Sequence, residues 1–162
     1  QLSYKALHDP LTSLPNRSNF MSMLESMNMM QEQICVMFLD GDGFKAVNDT
    51  WGHSAGDHVL TTIAERLKTL VGKNDLVARM GGDEFSILLR HVVDQDDVMQ
   101  VIEKILKAMR RTIYLPNGEE VFVSLSIGFT LSNAGSTPAE LLEKADAAMY
   151  HSKHNGGGWS FS

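Results

Sequence analysis

The sequence predicts an α/β (α+β) sandwich: a mainly antiparallel central sheet with helices packed on one or both faces. Three observations carry this. Segments of helical spacing alternate with short apolar runs; two strand-like runs meet at a glycine pair in "ARMGGDEFSILL"; and no repeat, low-complexity tract or internal linker divides the chain. At 162 residues, 43% apolar and 21% charged, it has the composition of one domain that can bury a core without disulfides.

"QLSYKAL", residues 1–7, reads as the end of a helix arriving from upstream, and the chain starts at Gln1, so a domain excised from a larger protein is expected. In "SLPNRSNFMSMLESMNMMQEQ", Ser13 and Pro15 are predicted as cap and first-turn residues of a helix carrying Phe20, Leu24 and Met27 on one face. Half of the ten methionines fall between Met21 and Met30 and are read as core filling. Ile34 to Leu39 is a buried strand, with Asp40 at its exit. "AGDHVLTTIAERLKTLVG" is a helix with Val59, Ile63 and Leu67 on one stripe and Gly72 as its stop. "DLVARM" and "EFSILLR" are hairpin strands whose turn takes its positive φ angles from the glycines. "DQDDVMQVIEKILKAMRR" is a helix, acidic at its start and basic at its end. A hairpin tipped by Asn117-Gly118, the strand "SLSIGFTL", a helix capped by Thr137 with Pro138 at its first position, and a final edge strand in "GWSFS" complete the chain.

The net charge of −6 argues against nucleic acid or an anionic membrane as a surface partner, yet leaves room for an anion held through a metal. Cys35, the only cysteine, lies in an apolar run and reads as a buried small hydrophobe in a reducing, cytoplasmic compartment. No apolar stretch approaches the ~20 residues of a membrane span, and no signal peptide is evident.

Adjacent carboxylates at a turn repel one another, so Asp83 and Glu84 need a reason beyond turn geometry. If the strand ending in "DGDG" lies beside the hairpin, Asp40 and Asp42 approach Asp83 and Glu84. Four carboxylates and several glycines at one sheet end suit Mg²⁺ carrying phosphates. Taken alone, "DGDG" reads as an exposed turn, Asn48-Asp49 as a helix cap and His53 as a surface histidine. An EF-hand loop is excluded by spacing.

"LDGDGFKAVNDTWGHSAGDHVL", "RMGGDEF", "HDPLTSLPNR" and "KADAAMYHSKHNG" stand in the order of the GGDEF domain, which the chain resembles from His8 to about Gly156. This family is the catalytic module of bacterial diguanylate cyclases. The resemblance implies a fold related to nucleotidyl cyclases and polymerase palms, one GGDEF domain over residues 1–162, and condensation of two GTP into cyclic di-GMP and pyrophosphate by a homodimer. It implies Mg²⁺ (or Mn²⁺) held by Asp40, Asp83 and the Gly41 carbonyl, with Glu84 as further ligand or participant in activating the 3′-hydroxyl; which of Asp83 and Glu84 is the base stays open. It implies that Gly43, Phe44 and Lys45 meet the phosphates, that Lys45 stabilises transferring charge, that Asn48 and Asp57 read guanine, and that His53 and Leu60 lie nearby. Lys153, on the stripe of Leu141, Ala145 and Met149, reads as a snorkelling lysine by itself and as a triphosphate contact by resemblance.

Two departures are visible. Gly157 stands where the family carries a phosphate-holding arginine, and Gly72 stands where many members carry the arginine of a product-inhibition site, although Asp75 is retained. The first expectation is therefore an active cyclase whose activity is reduced at Gly157. The alternative is a non-catalytic GTP-binding or dimerising module regulating an attached EAL-type phosphodiesterase, with sensor domains also expected as neighbours. An adenylate-type cyclase is disfavoured because Asn48 and Asp57 suit guanine.

Overall fold

The computed structural model describes residues 4–162. Five strands form the main sheet: β1 (Cys35–Asp42), β2 (Leu76–Gly81), β3 (Glu84–Leu89), β6 (Ser124–Leu131) and β7 (Gly158–Phe161). Their order is β2-β3-β1-β6-β7. All neighbours are antiparallel except β6 and β7. A separate two-stranded ribbon joins β4 (Ile113–Tyr114) to β5 (Glu120–Val121) around the predicted Asn117-Gly118 tip.

Alternation along the strands splits the core in two. One face of the sheet presents Val36, Ala78 and Leu88 to α2 (Arg17–Met29) and α6 (Pro138–His154), which contribute Phe20, Leu24, Leu141 and Ala145. The other face presents Met37, Leu39, Phe85, Ile87 and Phe129 to α4 (His53–Thr69) and α5 (Gln95–Met109). The architecture is therefore helix–sheet–helix. Cys35 is fully buried, and burial raises its thiol pKa far above the ordinary value. Among the described residues no helix is long and apolar enough to cross a membrane.

Several predicted boundaries move. Of the expected upstream helix end, Tyr4–Leu7 forms α1, and residues 1–3 lie outside the described residues. The cap of α2 is Asn16, whose Oδ1 accepts the Asn19 N–H at 3.0 Å, not Ser13. Ser13 has φ 63°, and Pro15 forms a bridge with His8, so both belong to a loop folded onto the domain. Met27 is buried and Met21 and Met23 pack against the core, whereas Met29 and Met30 are exposed. Core filling thus describes three of these five methionines.

Strand β1 runs through "DGD" to Asp42 because neighbours on both sides pair with it: Asp40 with Glu84 and Ser126, Asp42 with Ser124. The exposed-turn reading of this stretch fails for that reason. An unexpected helix, α3 (Phe44–Trp51), follows, and Asn48 sits inside it rather than capping a helix. Its capping residue is Gly43 at φ 88°, and Gly52 at φ 91° separates it from α4. Short length and the Val-Asn-Asp-Thr run hid it from periodicity. Helix α4 begins at His53, two residues ahead of "AGDHV", and ends before Gly72. The caps of α5 (Asp94) and α6 (Thr137, with Pro138 at the first position) have the expected chemistry.

Helix α6 crosses β6 at Gly128, where an added Cβ would fall 1.9 Å from the Met149 nitrogen. Gly128→Ala is expected to lower unfolding stability by about 3 kcal/mol, since backbone cannot yield as a flexible side chain does. Urea denaturation at equilibrium measures this.

Candidate active site

The acids gather because β1 is flanked by β3 and β6, so everything at its C-terminal end meets the β2–β3 turn and the start of β6. The last pair of that hairpin is Gly81 with Glu84, after a register shift beyond Arg79. The turn residues are thus Gly82 (φ 50°) and Asp83 rather than the two glycines. Asp83 folds back over β1: its backbone carbonyl accepts the Gly41 N–H at 3.1 Å. An added Cβ on Gly41 would lie 3.0 Å from Asp83 Oδ2, so only glycine leaves the carboxylate this seat.

There the Asp83 carboxyl meets that of Asp40. Burial first, then the hydrogen bond and the charge of Asp40, push the Asp83 pKa up to about 6. Contact with a like charge, added to burial, is why the Asp83 carboxyl holds its proton more tightly than an ordinary aspartate. Glu84 is more open to solvent. Partial desolvation, then Asp40 and Asp146, raise its pKa against the opposing charges of Arg17 and Lys153.

The cation of the cluster arrives from α6. Lys153 Nζ donates to Asp40 Oδ2 at 2.6 Å and to the Gly41 carbonyl at 3.2 Å, and lies 3.4 Å from Asp42 Oδ1. Desolvation alone would lower its pKa, but Asp40 and Asp42 hold it above the ordinary value. The Asp42 carboxylate also accepts the Ser126 hydroxyl at 2.7 Å. The anion anticipated at the end of the Lys153 stripe is therefore, in this state, the protein's own carboxylate.

Among the described residues no three His, Cys, Asp or Glu side chains are grouped to hold a metal. Two carboxylates in contact beside a carbonyl oxygen nevertheless fit Mg²⁺, which takes few protein oxygens and fills its octahedron with water or phosphate. Asp40, Asp83 and Gly41 are thus brought together as a hard-oxygen donor set, with Glu84 at its edge.

The remaining predicted residues flank this cluster along the chain. Gly43, Phe44 and Lys45 open α3, so their region presents free helix N–H groups. Phe44 packs against the core, while the Lys45 side chain is 91% exposed and pairs with Asp49 at 3.5 Å. Asn48 lies over Gly56, where a Cβ would come within 1.9 Å of its Oδ1. Asp57 and His53 are exposed on α4, whereas Leu60 is 3% exposed and belongs to the core wall. At Gly72, the Asp75 carboxylate accepts the Gly72 N–H (2.8 Å) and the Arg90 N–H (2.9 Å), a use internal to the fold. Gly157 adopts φ 93° against Asp42, so an arginine there would strain the turn.

Residue types alone did not point to Ser126, Gly56 or Arg79, and Asp42, expected among the gathered acids, lies instead against Lys153 and Ser126. Gly56 was signalled by a glycine inside a helical pattern, and Asp42 by "DGDG". Ser126 and Arg79 had no local signal. A surface cavity of about 570 Å³ lies at the other end of β1 near Glu32 and Ser132 and holds none of these acids. A second, about 400 Å³, adjoins Glu84 between Arg17, Phe38, Met80 and Asp146.

This sheet order, with two acids at the end of a central strand facing an acidic hairpin turn, defines a mixed α/β domain with an acidic site at one sheet end. The family profile "Diguanylate cyclase, GGDEF domain" matches residues 6–158, and the chain belongs to that family. It is 43% identical to the diguanylate cyclase TpbB of Pseudomonas aeruginosa over 97% of this chain and 37% of TpbB. It is 42% identical to the bifunctional diguanylate cyclase/cyclic di-GMP phosphodiesterase MucR of the same organism, over 96% of this chain and 23% of MucR. A solved structure of TpbB comprising only its GGDEF domain superposes with a TM-score of 0.88 at 42% identity, covering 95% of this chain and 93% of that one. The chain spans well under half the length of these full-length relatives.

Because Asp83 binds its proton more tightly in the folded state than an unfolded Asp, stability from this group is full below about pH 4 and lost as pH rises through about 6. The melting temperature of the metal-free protein should fall over that interval. Asp83→Asn should flatten the slope, and Mg²⁺ at pH 7 should raise the melting temperature of the wild type only. Scanning fluorimetry across pH reads all three.

Proposed function

We propose that this domain is a diguanylate cyclase that joins two GTP into cyclic di-GMP with release of pyrophosphate, each of two copies presenting one GTP to the other. The observation that carries the reading is the placing of the Asp83 carboxyl against Asp40 over Gly41, with Lys153 in reach of Asp40 and the Gly41 carbonyl. Asp40, Asp83 and the Gly41 carbonyl would hold Mg²⁺ or Mn²⁺, which supplies charge neutralisation on the phosphate oxygens. The first N–H groups of α3 and the Lys153 ammonium bind phosphate, and Asp42 with Ser126 steadies that lysine. The Asp57 carboxylate accepts from the guanine N1 and N2 hydrogens beside the Asn48 amide, and adenine leaves that carboxylate unpaired. Asp83 is engaged with Asp40, so Glu84, with its raised pKa, is the carboxylate that takes the proton of the incoming 3′-hydroxyl.

The second reading is a weakly active or silent GTP-binding module controlling an attached EAL-type phosphodiesterase. Gly157 favours it by removing a cation from the phosphate site, and MucR has the corresponding bifunctional description. Cytoplasmic location and attached sensor domains belong to the same proposal.

Incubation with GTP and Mg²⁺ should yield cyclic di-GMP, with ATP a poor competitor; Asp83→Asn should lower the rate at least roughly a hundredfold. No product from an artificially dimerised domain would favour the second reading. Gly56→Ala should displace the Asn48 amide and raise KM for GTP roughly tenfold, about one hydrogen bond, with the fold intact. Calorimetry should find no tight cyclic di-GMP site at Asp75, whose carboxylate is already committed.

A further inference from the structure

Arg79 is the most heavily engaged charged side chain near the turn, and the proposed chemistry makes no use of it. Its Nε and Nη2 both donate to the Gly82 carbonyl, at 3.0 and 2.8 Å. Its Nη1 donates to Asp9 Oδ1 at 2.8 Å, and both side chains of that pair are largely buried, at 15% and 13% exposure. The Arg79 N–H donates to the Pro15 carbonyl at 3.0 Å. One guanidinium therefore ties the loop before α2 to the peptide that immediately precedes Asp83.

Asp9 is itself fixed. Its Oδ2 accepts both the N–H and the hydroxyl of Thr12 at 2.8 Å. Its backbone N–H donates to the Leu14 carbonyl at 2.7 Å. Against the upward push of burial, the Thr12 bonds and the Arg79 charge hold its carboxyl below the usual range. The last carbonyls of α1 are held as well: Leu7 by the Asn16 N–H (2.9 Å) and Asn19 Nδ2 (3.2 Å), and Ala6 by Asn16 Nδ2 (3.1 Å). The hairpin end, by contrast, has Gly81 as its last paired residue and Gly82 in the turn, and the Asp83 carbonyl is met there by the Gly41 N–H. Two glycines give it little stiffness of its own.

We propose that Arg79 is a positioning residue that clamps the turn carrying Asp83, and that Asp9 anchors the clamp to the chain arriving through α1. The placement of Asp83 over Gly41 then depends on the segment from Asp9 to Asn16, so a shift of the incoming chain is felt at the acids. The catalytic consequence rests on the cyclase reading above; the clamp itself does not.

Arg79→Lys tests this, because a lysine keeps the charge facing Asp9 but cannot bond Asp9 and the Gly82 carbonyl through a rigid fork. Asp9→Asn tests the anchor and guards against one variant failing to fold. In both, NMR hydrogen exchange at the Gly41 amide should speed up roughly tenfold or more while amides of the β1–β6 pairing keep their protection. With GTP, kcat should fall roughly tenfold with KM changed by less than about threefold, as expected for lost alignment rather than lost binding. Unchanged Gly41 exchange in folded variants would overturn the clamp, and faster exchange with wild-type kcat would overturn its catalytic consequence. If the wild type makes no cyclic di-GMP, the cyclase reading fails by itself and the exchange measurement still decides the clamp.

Discussion

The pairing of β1 between β3 and β6 is the constraint on which the site depends. Its register sets Asp40 opposite Glu84 on one side and Ser126 on the other. It also brings the β2–β3 turn over Gly41, so that Asp83 lies against Asp40. A one-residue slip would send every one of these side chains to the opposite face and bury the wrong set. The apolar residues that alternate with them, Met37, Leu39, Phe85 and Ile87, are fully or almost fully buried and so pin that register. Packing of the core and placement of the acids are one decision.

The cost of this arrangement is electrostatic. Burial and the charge of Asp40 raise the pKa of Asp83 and oppose folding near neutrality. The fold answers with Lys153, delivered by α6, a helix that approaches closely because Gly128 has no side chain beneath it. An ammonium on Asp40 and near Asp42 relieves part of the repulsion and also keeps a cation beside the acids. Gly41, Gly56 and Gly128 each mark a point where a side chain would collide with another group of the structure, two of them with site side chains. The glycines of this domain are therefore spacing elements as much as turn formers.

Much of this was legible in advance for identifiable reasons. Long amphipathic helices and buried strands follow from local periodicity, and the caps of α5 and α6 from residues whose side chains bond adjacent N–H groups. The gathering of "DGDG" and "GGDEF" was legible because both abut strands. What failed was short or conditional. Helix α3 has only eight residues and weak propensity, so its existence rests on packing against α4. Ser13 and Pro15 have the chemistry of a helix start, but their backbone is claimed by the loop that meets His8 and Arg79. The Asp75 carboxylate was readable as a remnant of a binding motif; its bonds to Gly72 and Arg90 depend on β2 and β3 lying side by side.

The sequence by itself determined the elements other than α3, the identity of the acids and the family to which they belong, since these reside in neighbouring residues and in motif order. Tertiary structure alone decided that Asp83 is desolvated against Asp40, that Lys153 reaches Asp40 across 113 positions, and that Arg79 joins Asp9 to Gly82. The reason is physical. Helical and strand periodicity are properties of a few consecutive residues, whereas a pKa or a charge pair depends on desolvation and on distances between segments that only the assembled sheet brings together.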